Sequence, residues 1–314
     1  MNYYFAPLEG LTDSIYRRLH HKYFPGVDRY YTPFFSPTVH RALTAKEKRD
    51  LPLAEELDAQ VIPQVLTKSA PDFVFMSTVC RDRGYSQINL NLGCPSGTVT
   101  AKGKGAGMLR DIDALQVFLD DIFTSSVLPV SIKTRLGYSD AEEFFRLLEI
   151  FNRYPIRELI IHPRVRQDFY QNSLRMGFFE YALRTSCAPL CYNGNLCSKE
   201  DIRRFAEKYP SVEAVMLGRG LIGDPGMLSA GGTTRSTLLA FMNELFDAYA
   251  VAFGSRRNAM FRLKENWRHL FCLFEGIEKP EKQLRKTTDE HQFRMLTEQI
   301  ITQYPMRPQL QANW

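Results

Sequence analysis

No run of about 18 apolar residues occurs in the 314-residue sequence, so it offers no membrane span. The opening, Met1-Asn-Tyr-Tyr-Phe-Ala-Pro-Leu-Glu-Gly10, has no basic segment followed by an apolar one. No signal peptide is therefore expected, and the chain is expected to be cytoplasmic. Cysteine is sparse and scattered: Cys80, Cys94, Cys187, Cys191, Cys197 and Cys272 form no Cys-x-x-Cys pair. That spacing speaks against a zinc site or a redox dithiol, and no metal is expected; most of these thiols should be reduced and buried. Excess charge is small, with 40 Lys and Arg against 35 Asp and Glu and a net charge of +5. Such a balance permits a nucleic-acid partner without requiring one. Internal repeats of 20–50 residues and low-complexity tracts are also missing, which argues against a solenoid. What is present, 44% hydrophobic and 24% charged residues, is enough to bury a core and excludes intrinsic disorder.

Short apolar runs alternate with longer helical patterns. Strands are predicted at Tyr3–Ala6, Arg29–Thr32, Val61–Leu66, Gln87–Leu92, Val130–Thr134, Glu158–His162, Leu190–Tyr192 and Ala214–Leu217. Runs such as Glu158-Leu-Ile-Ile-His162 lack alternation, as parallel strands covered on both faces do. Between them, Ser139-Asp-Ala-Glu142 reads as a capping box, followed by Phe144, Leu147, Leu148 and Phe151 on one helical face. Ser198 and Asp111 read as caps of two further helices. Eight strands in this alternation predict an α/β fold, a (β/α)8 TIM barrel. After Gly231-Gly232-Thr233-Thr234 only helical stretches follow, near 236–252, 258–274 and 289–303. Two domains are expected: a barrel over 1–233 and a smaller helical domain over 234–314.

In a barrel of this kind, chemistry gathers at the C-terminal ends of the strands. There the sequence places Pro7-Leu8, Gln64, Asn89-Leu-Asn-Leu-Gly-Cys94-Pro, Lys133-Thr-Arg135, His162-Pro-Arg164, Asn193-Gly-Asn195 and Gly218-Arg-Gly220. The last two segments suit a phosphate, which barrels often bind with the loops after strands seven and eight; Gly194, Gly218 and Arg219 fit, although such glycines also make ordinary tight turns. Lys133 can stabilise negative charge on a reduced ring or pair with a core carboxylate. Gln64 and Asn91 can bond a heteroaromatic edge or satisfy strand ends, and a lone His162 can be structural. Cys94 is the sharpest residue. It opens a glycine-rich loop over the barrel mouth, where a thiol can act as a general acid. No histidine stands near it in sequence, which argues against a cysteine protease.

These residues resemble the tRNA-dihydrouridine synthases. The resemblance rests on Ala6-Pro-Leu-Glu-Gly10, on Asn91-Leu-Gly-Cys94-Pro95 leading into Gly103-Lys-Gly-Ala-Gly-Met-Leu109, on Lys133-Thr-Arg135-Leu-Gly137, on His162 and Arg164 with Tyr170 downstream, and on the two glycine segments. The sequence departs from the family pattern at Leu8, Asn89, Val165 and Asp168. The resemblance implies FMN across the barrel mouth, its phosphate near Asn193, Gly194, Asn195, Gly218 and Arg219 and its ring near Pro7, Leu8, Gln64, Lys133 and His162. It implies NADPH as reductant, hydride transfer from flavin N5 to C6 of a tRNA uridine, and protonation of C5 by Cys94. Asn91, Arg135 and Arg164 would contact the base, and Arg262, Lys264, Arg268, Lys282, Arg285 and Lys286 the tRNA body. A monomer is the expected state. Two other readings share these features: an FMN barrel acting on a free small molecule, akin to dihydroorotate dehydrogenase, and a non-catalytic RNA-binding flavoprotein.

Overall fold

The computed structural model describes residues 1–37, 40–57 and 59–311. In chain order it contains β1 (Asn2–Phe5), α1 (Ser14–Tyr23), β2 (Arg29–Tyr31), α2 (Ala45–Asp50), β3 (Val61–Ile62), β4 (Gln64–Val65), α3 (Ala70–Asp82), β5 (Ile88–Leu92), α4 (Gly97–Thr100), α5 (Ile112–Ser125), β6 (Val130–Gly137), α6 (Glu143–Phe151), β7 (Leu159–Val165), α7 (Met176–Thr185), β8 (Leu190–Asn193), α8 (Lys199–Lys208), β9 (Ala214–Leu217), α9 (Arg219–Gly223), α10 (Arg235–Phe253), α11 (Arg256–Leu270), α12 (Glu278–Lys286) and α13 (Glu290–Gln303). Every strand pairs in parallel with its neighbours, in the order β3-β2-β1-β9-β8-β7-β6-β5-β4.

Only Pro63 separates the two terminal strands of that sheet. A proline has no N–H to give a ladder, so the strand expected over Val61–Leu66 is broken there into two short pieces. The Pro63 carbonyl still accepts from the Asn89 amide at 2.8 Å. Taken as one interrupted strand, β3 and β4 close the sheet into a (β/α)8 barrel. No helix among the described residues is long and apolar enough to cross a membrane.

Alternation along the strands decides what the barrel interior holds. In β5, Ile88, Leu90 and Leu92 face the surrounding helices, while Asn89 and Asn91 are the intervening residues. In β6 the same split separates Val130, Ile132 and Leu136 from Ser131, Lys133 and Arg135. Elsewhere in the barrel the inward set is apolar: Tyr4, Ala6, Tyr31, Ile62, Ile160, Cys191, Ala214 and Met216 form their own small core, of which Ala6 and Met216 reach the cleft at the C-terminal strand ends.

One carboxyl is built into this interior. Glu158 lies just before β7, and its Oε1 and Oε2 accept from the Tyr4 and Tyr31 hydroxyls at 2.9 and 3.1 Å, with the Arg29 guanidinium 3.8 Å away. Glu158→Ala strips both buried hydroxyls of their acceptor and is expected to cost about 3 kcal/mol of stability, more than Glu158→Gln, in denaturant unfolding.

The fold departs from two sequence expectations. Ser139-Asp-Ala-Glu142 is not a capping box, because Glu142 makes no side-chain cap bond at the start of α6. The Glu143 carboxylate instead gathers the amides of Tyr138, Ser139 and Asp140 at 2.6, 3.1 and 2.9 Å. The helix face itself is as expected, with Phe144, Leu147, Leu148 and Phe151 all buried, and Ser198 and Asp111 cap α8 and α5. The second correction is α12, a helix absent from the expected stretches. Pro280 obscures its pattern but lies in its first turn, where a missing N–H costs nothing. The last four helices pack on the rest of the chain through α10, against α1, and through α11, against α9. Tyr249 donates to Asp13 at 2.8 Å, and Phe241 lies edge-on to Tyr16 and Phe24.

Candidate active site

A cleft opens at the C-terminal ends of the strands, with about 1030 Å3 of empty space, its open mouth included. Pro7, Leu8, Gln64, Lys133, His162, Asn193, Gly194, Asn195, Gly218 and Arg219 all line it, as do Asn91, Cys94 and Arg135. Thirteen residues spread over more than 200 positions therefore converge on one wall. Arg164 is not among the lining residues. It is buried, donating to His162 Nε2 at 2.9 Å, to Asn195 Oδ1 at 3.3 Å and to the Asn172 carbonyl at 2.6 Å.

Four side chains form a continuous amide relay at the cleft base. Asn89 donates to Ser131 at 2.9 Å and accepts from Gln64 at 2.8 Å; Gln64 accepts from Asn91 at 2.7 Å. Asn91 Oδ1 then accepts the backbone amides of Gly93 and Cys94 at 3.0 and 2.9 Å. From the other side, Arg135 Nε donates to the Gly93 carbonyl at 2.9 Å and Nη1 to the Val165 carbonyl at 3.0 Å. The turn that carries Cys94 is thus fixed by donors and acceptors at once. Cys94 itself is half-buried, and burial pushes its thiol above the ordinary range, more strongly than Arg135 and Lys133 draw it down.

The electrostatics of the wall are one-sided. Lys133, Arg135, His162 and Arg219 line the cleft, and among the described residues Glu9 is the single acid that lines it. Burial brings the Lys133 ammonium down to about 8, with Arg135 beside it acting in the same direction. Burial, then Arg135, Lys133, Arg164 and Arg219, hold His162 far below its usual range, so its ring is neutral near pH 7. Arginine only donates, so the bond from Arg164 makes His162 Nε2 the acceptor and leaves the proton on Nδ1.

At the other end of the cleft two loops approach closely. A Cβ on Gly220 would sit 2.7 Å from the Leu196 carbonyl oxygen and 3.1 Å from Cys197 Cα, so only glycine lets β9's exit lie against β8's. Helix α9 is a single short turn, and the positive charge here comes from the Arg219 side chain rather than from a helix terminus. Asn195 sits at φ 27°, in the left-handed region that asparagine tolerates better than most residues.

The site has members that the sequence reading left out. Pro33 and Phe34 follow β2, the one strand end to which no role was given, and Met216, Leu196 and Cys197 also line the cleft. Position at a strand end was the available signal for Phe34; nothing in its type marked it. Tyr170 stacks on His162 at 6.0 Å and lies beneath the guanidiniums of Arg135 and Arg219, at 5.3 and 4.8 Å.

The six cations expected to meet the tRNA body lie outside the cleft. Arg262 donates to the Gly10 carbonyl, and Lys264 to the carbonyls of Arg285 and Thr287. Arg268 pairs with Glu265 at 2.9 Å and Arg285 with Glu281 at 2.7 Å. Lys282 and Lys286 border a shallow surface hollow.

Comparison with known proteins places this geometry. The family described as dihydrouridine synthase (Dus) matches residues 4–304. A probable tRNA-dihydrouridine synthase 1 of Synechocystis sp. is 27% identical over 226 residues, covering 70% of this chain and 61% of that protein. The tRNA-dihydrouridine synthase B of Pasteurella multocida is 26% identical over 224 residues, covering 71% and 66%. The chain thus spans slightly under two thirds of these relatives' length. Among solved structures, a morphinone reductase variant in complex with tetrahydroNAD superposes with a TM-score of 0.51 at 10% identity, covering 72% of this chain and 85% of that one. The old yellow enzyme from Trypanosoma cruzi gives 0.50 at 9% identity, covering 72% and 86%. These likenesses show a shared barrel fold.

Proposed function

From a chain that belongs to the dihydrouridine synthase family, we propose an enzyme that reduces the C5–C6 double bond of uracil in tRNA uridines, with FMN as resident cofactor and NADPH as reductant. The observation that carries this reading is the pairing, in one cleft, of a loop-borne thiol with a wall of cations. The donor set fits FMN. A dianionic phosphate suits Arg219 and the glycine-lined end at Gly194 and Gly218, with Asn193 and Asn195 beside it. A ring system suits the Pro7 and Leu8 floor, with polar edges met by Gln64, Lys133 and the Nδ1–H of His162. Once reduced by NADPH, FMN supplies the hydride that uracil C6 accepts.

The remaining chemistry belongs to the chain. Cys94 gives its thiol proton to C5, and the thiolate regains a proton from water before the next turnover. Asn91 and Arg135 hold the Cys94 turn and orient the uracil, which must leave the RNA stack to enter the cleft. Arg164 contributes through His162 and Asn195. Residues 234–314 form the helical domain that holds the tRNA body by phosphate contacts, with Arg268, Lys282, Arg285 and Lys286 exposed for that role, Lys264 bracing the domain internally and Arg262 tying it to the Gly10 carbonyl of the barrel.

Mass spectrometry of tRNA from cells lacking the gene tests this reading. Loss of dihydrouridine at one tRNA position is expected; an unchanged dihydrouridine content in every tRNA would sink it. Steeply salt-dependent binding of the purified protein to bulk unmodified tRNA separates it from an enzyme acting on a free small molecule.

A further inference from the structure

Beside the Cys94 loop, four side chains that the reaction does not use alternate as cation and ring. The Arg110 guanidinium lies 3.9 Å from the centre of the Tyr138 ring and donates to its hydroxyl. Arg166 lies 5.4 Å from that ring and 5.0 Å from the ring of Phe169. Three separate segments supply them: the turn Gly105–Arg110, the β6–α6 connection, and the turn after β7. Both outer segments touch the loop of the proposed acid. A Cβ on Gly105 would meet Cys94 Cβ at 3.0 Å, and Arg166 donates to Thr100, at the end of α4, at 3.2 Å.

Arg110 and Arg166 donate to hydroxyls, of Tyr138 and Thr100, rather than to carboxylates, and Arg166 Nε is buried without a partner. Phe169 leaves 43% of its surface in solvent. It does so at φ 49°, a left-handed backbone that costs energy in any residue but glycine. Its neighbour Asp168 imposes that turn, accepting from the Val165 amide at 3.0 Å and from Asn172 at 2.6 Å while pairing with Arg175. Burial pushes the Asp168 carboxyl up, but those bonds outweigh it and leave it below the usual carboxylate range. A strained, exposed aromatic beside two guanidiniums bonded to hydroxyls matches what single-stranded RNA offers: phosphates for the arginines and an unstacked base for the ring.

We propose that the Arg110–Tyr138–Arg166–Phe169 ladder is the docking strip for the nucleotide next to the uridine drawn into the cleft, Arg110 and Arg166 meeting its flanking phosphates and Phe169 its base. This rests on the tRNA-uridine reading above. A base swung out of its stack leaves its neighbour without a stacking partner, and Phe169 replaces it.

The test uses flavin-loaded protein and unmodified tRNA. Arg110→Gln with Arg166→Gln is expected to flatten the plot of log affinity against log salt by about 1.4, two single-strand phosphate contacts. Phe169→Gly is expected to raise KM for tRNA about 10-fold with kcat within about twofold, the size of one lost base–aromatic stack. The same variant should melt no lower than wild type, because glycine relieves the left-handed backbone; Phe169→Trp should restore the KM. A ring kept for folding would give the opposite pattern, lower melting and unchanged KM, and that result overturns the proposal, as does an unaltered salt slope in the double variant. If wild type reduces tRNA uridines and Phe169→Gly matches it, the ladder alone is wrong. If wild type neither binds tRNA nor reduces its uridines, the functional reading falls and takes the ladder with it.

Discussion

Cys94→Ala is expected to lower the rate of uridine reduction by about 10²–10⁴-fold, the usual worth of a positioned general acid. Its effect should be confined to one half of the reaction. FMN content should match wild type, because the cofactor's proposed partners lie on other strand ends, and reduction by NADPH should proceed at the wild-type rate. Reoxidation by tRNA is the step that should fail. Rapid-mixing absorbance of the flavin separates the two halves. The pH dependence carries a second signature. Burial raises the Cys94 thiol, so the acid stays protonated through neutral pH, and the rate of reoxidation should fall only as pH rises through that raised value. If Cys94→Ala reoxidises with tRNA as fast as wild type, the assignment of the acid is wrong.

Sequence alone reached the lining of this cleft because barrels collect chemistry at one end, and residue type is informative there. Polar residues that close otherwise apolar strands have few reasons to be buried, so Gln64, Asn91, Lys133 and His162 stood out. The same logic could not say what those residues bond to. Asn91 and Arg135, proposed to orient the base, also hold the Gly93–Cys94 turn from opposite sides, through backbone atoms that carry no side-chain signal. Asn89, conspicuous as a departure from the family pattern, is satisfied at both ends of its amide by Gln64 and Ser131. An amide at this position therefore completes the relay rather than leaving a gap. Misreadings in the helical parts came from caps and turns. Glu143 and Glu142 differ by one place, and only backbone geometry reveals which of them gathers the amides ahead of α6. The ladder beside the cleft was illegible for another reason: Arg110, Tyr138, Arg166 and Phe169 come from three loops, and no spacing links them.

Lys133→Met is expected to weaken FMN binding about 10- to 100-fold, the loss of a charge-assisted hydrogen bond of about 1.5–3 kcal/mol, and to abolish a pH dependence that wild type should show. The groups around this ammonium explain why. Burial brings it down to about 8, Arg135 on its own strand pushes it further, and Cys191 and Cys94 pull weakly the other way. His162, on the adjacent strand, is neutral and offers no counter-charge. Without a ligand the ammonium is therefore poorly supported; a bound anion supports it and raises its affinity for the proton. Binding is then strongest below about pH 8, where Lys133 is already charged, and weakens as pH rises through that value because the cation must be made at the ligand's expense. FMN titrated into apoprotein at pH 7 and pH 9 should give a clearly weaker Kd at pH 9 for wild type, equal values for Lys133→Met, and for Lys133→Arg tight binding at both, since a guanidinium keeps its charge. A wild-type Kd that is flat over this interval would place Lys133 away from the cofactor, and with it the ring from its proposed seat. The two thiol and ammonium signatures do not overlap: one is read in the rate of flavin reoxidation, the other in binding to apoprotein, and each variant should erase only its own.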